Sequence, residues 1–151
     1  MATKKNILVP TDFTEYSDKA LTEAIRVAAQ YDAKIYLLHV IDSRPYQTGG
    51  EDLSEYVIKE MEARELSELK EARAMIEKQI NHLGKEKNVD IISDIKTGSP
   101  ADVILDEQRA KAIDLIVIGS HGKKGFLRGL VGSITYSVVK NAPCSVMVVR
   151  R

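Results

Sequence analysis

A chain of 151 residues, 44% of them hydrophobic and 29% charged, has the size and apolar content of one ordinary domain and needs no disulfide or structural metal for stability, in keeping with its single cysteine, Cys144. Lysine plus arginine and aspartate plus glutamate number 22 each, so the formal net charge is zero and the basic excess that nucleic-acid binding draws on is missing. The start of the chain does not read as a signal peptide, and no apolar run approaches the roughly 20 residues of a membrane span. The expectation is a cytoplasmic protein of one domain over residues 1–151, with neither nucleic acid nor membrane as partner.

Residues 7–9, apolar and closed by Pro10, predict a buried strand. Ala20, Leu21, Ala24, Ile25, Ala28 and Ala29 recur at helical spacing, with Thr14 or Ser17 as cap. A second strand is expected over 34–41, and a surface loop with Pro45, Gly49 and Gly50 over 43–50. Val57, Met61, Leu69, Ala72, Ile76, Ile80 and Leu83 mark one face of a long amphipathic helix over 53–83, covering a sheet rather than forming a coiled coil, with a break near its start allowed and Gly84 as its stop.

A third strand follows over 89–95. Ser99, Pro100 and Asp102 then combine an N-cap, a first-turn proline and a first-turn acid, and start a helix that ends near Lys111. Residues 115–118, continuously apolar, predict a strand covered on both faces. Gly132 or Ser133 opens a last helix through Lys140, and Ser145–Val149 is a fifth strand. Five strands alternating with helices predict an α/β fold: an open, doubly wound, mostly parallel sheet with helices on both faces. In such a sheet the ligand crevice lies beyond the carboxyl ends of the strands, which directs attention to 10–12, 40–42 and the segment from Gly119 onward.

Five of the nine glycines fall between Gly119 and Ser133. Glycines let backbone amides turn inward and an anion approach, and the helix that follows adds its unpaired amides, so a polyphosphate suits this segment. Ser133 can offer its hydroxyl to the same oxygens or cap the helix. A bulky β-branched residue at Gly122 or Gly132 is expected to fill the phosphate position or force a disallowed backbone. The segment has no Walker A spacing, and no G-x-G-x-x-G follows the first strand, so both common nucleotide fingerprints are missing.

Gly119, two residues, Gly122, nine residues, Gly132 and Ser133 form a pattern that resembles the nucleotide-binding signature of the ATP-binding branch of the universal stress protein family. The resemblance extends to "ILVPTD" at 7–12, "LHV" at 38–40, 98–100, "DLIVIGSHG" at 114–122 and "APCSVMVV" at 142–149. It implies a five-stranded sheet of order 3-2-1-4-5, an adenine nucleotide alpha hydrolase-like fold. It implies ATP as ligand, with Pro10, Thr11 and Asp12 near the ribose and a Mg²⁺ ion at Asp12. Val40 would meet adenine through its backbone. Gly119, Gly122, Gly132 and Ser133 would surround the phosphates, with His121 and Gly129 nearby. Lys123, Lys124 and Arg128 read as loop charges or as solvated side chains.

Several of these residues have plainer readings. Asp12 suits a ribose, a Mg²⁺ ion or a helix cap. His121 suits a phosphate hydrogen bond or a proton transfer, with binding favoured. His39 packs or hydrogen-bonds beneath the site, His82 is on the surface, and Cys144 packs inertly. No His and Cys spacing points to zinc.

The leading function is an ATP-binding regulatory protein of the stress response. The alternative is a slow ATPase or autophosphorylating enzyme, limited by the lack of an evident base or arginine finger. A receiver domain would need an aspartate where the third strand ends in Ile95, Lys96 and Thr97, and a flavodoxin would need a glycine loop directly after the first strand. Because the last strand is almost entirely apolar, a homodimer through Ser145–Val149 is also expected.

Overall fold

The computed structural model describes residues 4–44, 54–84, 88–122 and 131–150. In chain order these form β1 (Asn6–Pro10), α1 (Glu15–Tyr31), β2 (Lys34–Asp42), α2 (Glu55–Leu83), β3 (Ile91–Gly98), α3 (Pro100–Ala110), β4 (Leu115–Gly119), α4 (Ser133–Asn141) and β5 (Ser145–Val149). The strands make one parallel sheet of order β3-β2-β1-β4-β5, with β1 and β4 side by side as expected. Strand order reverses between β1 and β4, so the connections that leave these two strands run to α1 and α4 on opposite faces of the sheet and leave a crevice.

Two apolar clusters sit on the two faces of this sheet. Ile7, Val9, Ile35, Leu37 and Val117 pack under α1 and α2, while Leu8, Leu38, Ile116 and Ile118 pack under α3 and α4. Alternate residues of one strand feed opposite clusters, as the period of two dictates. The stripe of α1 predicted from spacing is the buried one: Ala20, Leu21, Ala24, Ile25 and Ala28. Burial of Leu21 or Ile25 contributes about 1.5–3 kcal/mol each, and the alanines let the helix lie close to the strands.

Element limits differ from the sequence expectation where polar residues continue a strand. β3 starts at Ile91, not at 89, since Asn88 still turns with φ 51°, and it runs on through Asp94, Lys96 and Thr97 to Gly98. Pairing with β2 holds it extended to Asp42↔Gly98, and polar side chains are tolerated because β3 is an edge. α2 is unbroken from its Ser54 cap to Gly84. Its Ala72, Ile76 and Gln79 are buried, whereas Tyr56, Val57 and Ile58 in its first turn are exposed. Of the loop expected at 43–50, residues 45–50 lie outside the described residues, as do Lys123, Lys124, Arg128 and Gly129. Among the described residues no helix is long and apolar enough to cross a membrane.

Candidate functional site

The carboxyl ends of β1, β2 and β4 open into a cleft of about 920 Å³, toward the upper end of the range for small-molecule sites. Pro10, Thr11, Asp12, Val40, Gly119, His121, Gly122, Gly132 and Ser133 all line it, so the structure brings together every candidate residue it describes. Gly129 lies outside the described residues.

On the β1 side the chain makes a tight turn wired by side chains. Thr11 N donates to Leu38 O at 2.8 Å, which closes the β1–β2 ladder, and Thr11 O lies 2.7 Å from His39 Nδ1. Phe13 follows in the left-handed region at φ 65°, an unusual conformation for an aromatic residue, and its ring stacks on His39 with centroids 4.5 Å apart. Asp12 Oδ1 accepts from Thr14 N at 3.1 Å and from Thr14 Oγ1 at 2.5 Å. Thr14, not Ser17, is the N-cap of α1, with its side chain accepting from Ser17 N. Asp12 thus braces the residue that caps the helix, while its Oδ2 leans toward β4. A Cβ on Gly122 would stand 3.0 Å from that oxygen.

The β4 side is built from backbone. Gly132 N donates to Ser120 O at 2.8 Å and Thr135 Oγ1 donates to Gly119 O at 2.7 Å, which seats the start of α4 on the end of β4. The first intrahelical bond of α4 is Tyr136 N to Gly132 O, so the amides of Ser133, Ile134 and Thr135 precede it at a positive helix end that faces the cleft. Gly132 is the N-cap and no side chain caps this helix, so the capping role considered for Ser133 is not taken up.

The glycines are needed for space rather than for backbone freedom. Among the described glycines the positive φ belongs to Gly98. Gly119 lies against α1, where a Cβ would come within 3.0 Å of the Tyr16 backbone, whereas a Cβ on Gly132 would meet neighbours at an ordinary 3.4–3.6 Å. A forced backbone at Gly122 or Gly132 is therefore not the cost of substitution. His121 is half-buried, with Nδ1 2.9 Å from Ser120 Oγ and its ring 5.2 Å from that of Tyr16.

The third wall is β2. Lys34 N bonds toward β1 and Ile35 N toward β3, so even-numbered residues of β2 direct their backbone groups to the β1 side. The β1–β2 register ends at Pro10↔Leu38. Val40 consequently presents its N–H and C=O to the crevice with no strand opposite among the described residues. Beyond it, Asp42 accepts from two of the three guanidinium nitrogens of Arg44, Nε at 2.9 Å and Nη2 at 2.6 Å, and this pairing holds the arginine above its ordinary pKa. Glu68, Glu71 and Met75 of α2 complete this end.

The sequence reading named Ser17 only as a cap candidate and missed Phe13, Thr135, Gln79 and the α2 wall. Gln79 alone left a trace, as a polar residue on the otherwise apolar stripe of α2. His39 hydrogen-bonds to Thr11 O as expected, but it lines the cleft beside Phe13 instead of lying beneath it, and His82 is on the surface as expected. Half-buried Cys144 packs with the α3–α4 cluster, and burial pushes its thiol pKa up, which keeps it protonated. No metal-binding group of three His, Cys, Asp or Glu occurs among the described residues.

A parallel sheet of this order with its cleft at the β1/β4 switch defines an open, doubly wound α/β domain. Within that class the chain belongs to the universal stress protein family, which it matches over residues 4–150. It is 35% identical over 147 residues to the universal stress protein MJ0531 of Methanocaldococcus jannaschii, covering 97% of this chain and 82% of that one. The fold is similar to that of universal stress protein UspA from Lactobacillus plantarum, at a TM-score of 0.83 and 28% identity over 99% of this chain and 100% of that one. It is also similar to a universal stress protein in complex with cAMP, at a TM-score of 0.69 and 18% identity over 99% and 98% of the two chains.

Proposed function

We propose that this universal stress protein binds ATP in the β1/β4 cleft and acts as a nucleotide-loaded regulator in the cytoplasm. The observation that carries the reading is that one cleft holds two complementary ends. At one end, Val40 offers an adjacent donor and acceptor. Adenine presents an acceptor at N1 beside a donor at its 6-amino group, whereas guanine presents the reverse pattern, which would set two donors and two acceptors against each other. At the other end, the amides at the start of α4 and the space at Gly122 suit phosphate oxygens. Ser133 and His121 border the same space.

Asp12, which lies between these ends, supports the ribose with its free oxygen. The same carboxylate suits Mg²⁺, since this ion uses one or two protein carboxylates together with substrate phosphates. A bound metal would neutralise phosphate charge, and the protein's own part would be to orient the nucleotide. The relative in complex with cAMP adds support for an adenine ligand.

Rapid hydrolysis is not part of this reading. Among the described residues the arginine that lines the cleft is Arg44, already engaged by Asp42, and Asp12 Oδ1 is occupied by Thr14. Mass spectrometry of undenatured protein should find ATP co-purifying, and titration calorimetry should show ATP bound in preference to GTP. Equal affinity for both would remove the assigned role of Val40, and no binding of either would refute the reading.

The reading includes a homodimer through β5. This strand is a sheet edge, and Tyr136 and Val139 are exposed on the adjoining α4. Val146 and Val148 pack partly on their own chain's core, so a lysine at 148 would damage the fold as well as the edge. Val149 O bonds inward to Ser120 N, so the N–H of Val148 points outward. Val148→Pro therefore removes an edge donor without breaking the ladder. Light scattering should report a dimer that becomes a folded monomer in this variant, and an unchanged dimer would refute the interface.

A further inference from the structure

Gln79 is a buried amide on the apolar face of α2, 6% exposed, and it reaches into the base of the β1 turn. Its Nε2 donates to Asp18 Oδ1 at 2.8 Å. That carboxylate only accepts, so it fixes which end of the amide faces the turn. Oε1 is left facing Thr11 Oγ1 at 3.0 Å. The Thr11 hydroxyl is itself buried and has one hydrogen, for which Gln79 Oε1 and, at 3.1 Å, Ser17 Oγ are the acceptors in reach. The Ser17 hydroxyl gives its own hydrogen to Thr14 O at 2.9 Å. With the Thr11 hydrogen directed away from the turn, a lone pair of Thr11 Oγ1 accepts from Phe13 N at 3.2 Å. Phe13 is the residue held at φ 65°. Such a conformation persists only where its surroundings over-determine it.

We infer that Gln79 is a positioning residue that, by orienting the Thr11 hydroxyl, holds the Phe13 turn and so presents Asp12 to the nucleotide. This rests on the nucleotide reading of the cleft. The chain of contacts runs from α2 through Thr11 to the backbone beside Asp12, and Gln79 itself does not line the cleft. Its removal should therefore act on affinity through the turn. Loss of the Gln79 acceptor leaves Ser17 Oγ, 3.1 Å away, to take the Thr11 hydrogen, so the hydroxyl turns from its Gln79 direction and the lone pair offered to the Phe13 amide turns with it.

The test compares Gln79→Met, which keeps length and volume, with Ile76→Val, a core substitution one turn away on the same helix. Both should lower the melting temperature. Gln79→Met alone should weaken ATP binding by about tenfold, the scale of one buried hydrogen bond. It alone should also speed exchange of the Phe13 and Thr14 amides in the nucleotide-free protein, relative to amides in the body of α1. Equal effects of the two variants on affinity and on those amides would overturn the proposal. Gln79→Glu gives a second arm, since it sets a carboxylate against Asp18. The turn amides should exchange faster there, and Asp18→Asn in the same chain should restore them by supplying a donor. Failure of that rescue would overturn the proposal even if Gln79→Met does not fold. If the unaltered protein binds no ATP, the nucleotide reading falls by itself, and the exchange data still decide whether Gln79 holds the turn.

Discussion

The two strand ends that meet at the cleft reach the same precision by opposite means. The β1 end is held by side chains: Thr11, Asp12, Thr14 and Ser17 bond to one another and to the backbone within one short turn. The β4 end is held mainly by main-chain groups and by missing side chains, with the Thr135 hydroxyl on Gly119 O as its one buried side-chain bond among the described residues, Gly119 against Tyr16 and Gly122 against Asp12. In the proposed reading the difference follows from what each end would meet. A ribose hydroxyl needs an acceptor of fixed direction, which a braced carboxylate provides, whereas phosphate oxygens need several amides at close range, which only a backbone without intervening Cβ atoms provides.

If this contrast is right, added atoms harm the β4 side and removed atoms harm the β1 side. The largest effect should come from Gly122→Val. Its Cβ would lie 3.0 Å from Asp12 Oδ2, in the space between the two halves. Calorimetry should show ATP affinity reduced by more than about tenfold, the equivalent of 1.4 kcal/mol, while circular dichroism stays native. Unchanged affinity would show that the space between the halves is not where the ligand sits.

Gly119→Ala should act on stability instead, because the new Cβ would press on the Tyr16 backbone of α1, which yields less readily than a side chain. Overpacking of this kind costs about 1–3 kcal/mol, to be read from the urea midpoint. On the opposite side, Thr14→Ala removes the cap of α1 and the hydroxyl bond to Asp12 while the Thr14 amide bond stays, at a cost of about 1 kcal/mol by the same measurement. A larger loss at Thr14 than at Gly119 would reverse the ranking of the two halves. Gly132→Ser should cost nothing measurable, since its Cβ has room and serine caps a helix at least as well as glycine. Marked destabilisation there would show that the β4 side depends on glycine conformation after all.

An effect confined to the acid side of the stability curve lies away from the cleft and calibrates the others. Burial raises the pKa of the Glu107 carboxyl, but Lys111 and Lys96, both paired to it, outweigh burial and leave it below its ordinary 4.5. The folded state therefore binds this proton less readily than the unfolded state. The stabilisation is present in full above the unfolded value and fades as pH falls through the lower folded one. Glu107→Gln should flatten the acid side of the stability curve below about pH 5 and leave ATP affinity unchanged. An unaltered acid limb would mean that the ion pairs contribute no net stability.

Periodicity made the fold legible before any coordinates, because apolar alternation and helical spacing report which face of each element is dry. The residues of the site were legible for a different reason: Pro10 to Asp12, Val40 and Gly119 onward each stand at or just beyond the carboxyl end of a strand, and the carboxyl ends of a doubly wound sheet converge. Polar segments defeated the same reasoning. The end of β3 is extended because β2 supplies its hydrogen bonds, and nothing in Asp94, Lys96 and Thr97 themselves requires that.

The sequence by itself determined the order of elements, the parallel sheet and the strand ends where a ligand belongs, since these follow from local patterns and chain connectivity. Tertiary structure alone decided what each site residue does there. The spacing of glycines does not say that Gly119 is pressed by Tyr16 while Gly132 has room, since that depends on how closely α1 approaches β4. Nor could a glutamine 68 positions from Thr11 be matched to its hydroxyl before folding brought α2 against the turn. Hydrogen bonds between distant residues are set by packing geometry, which no local pattern encodes.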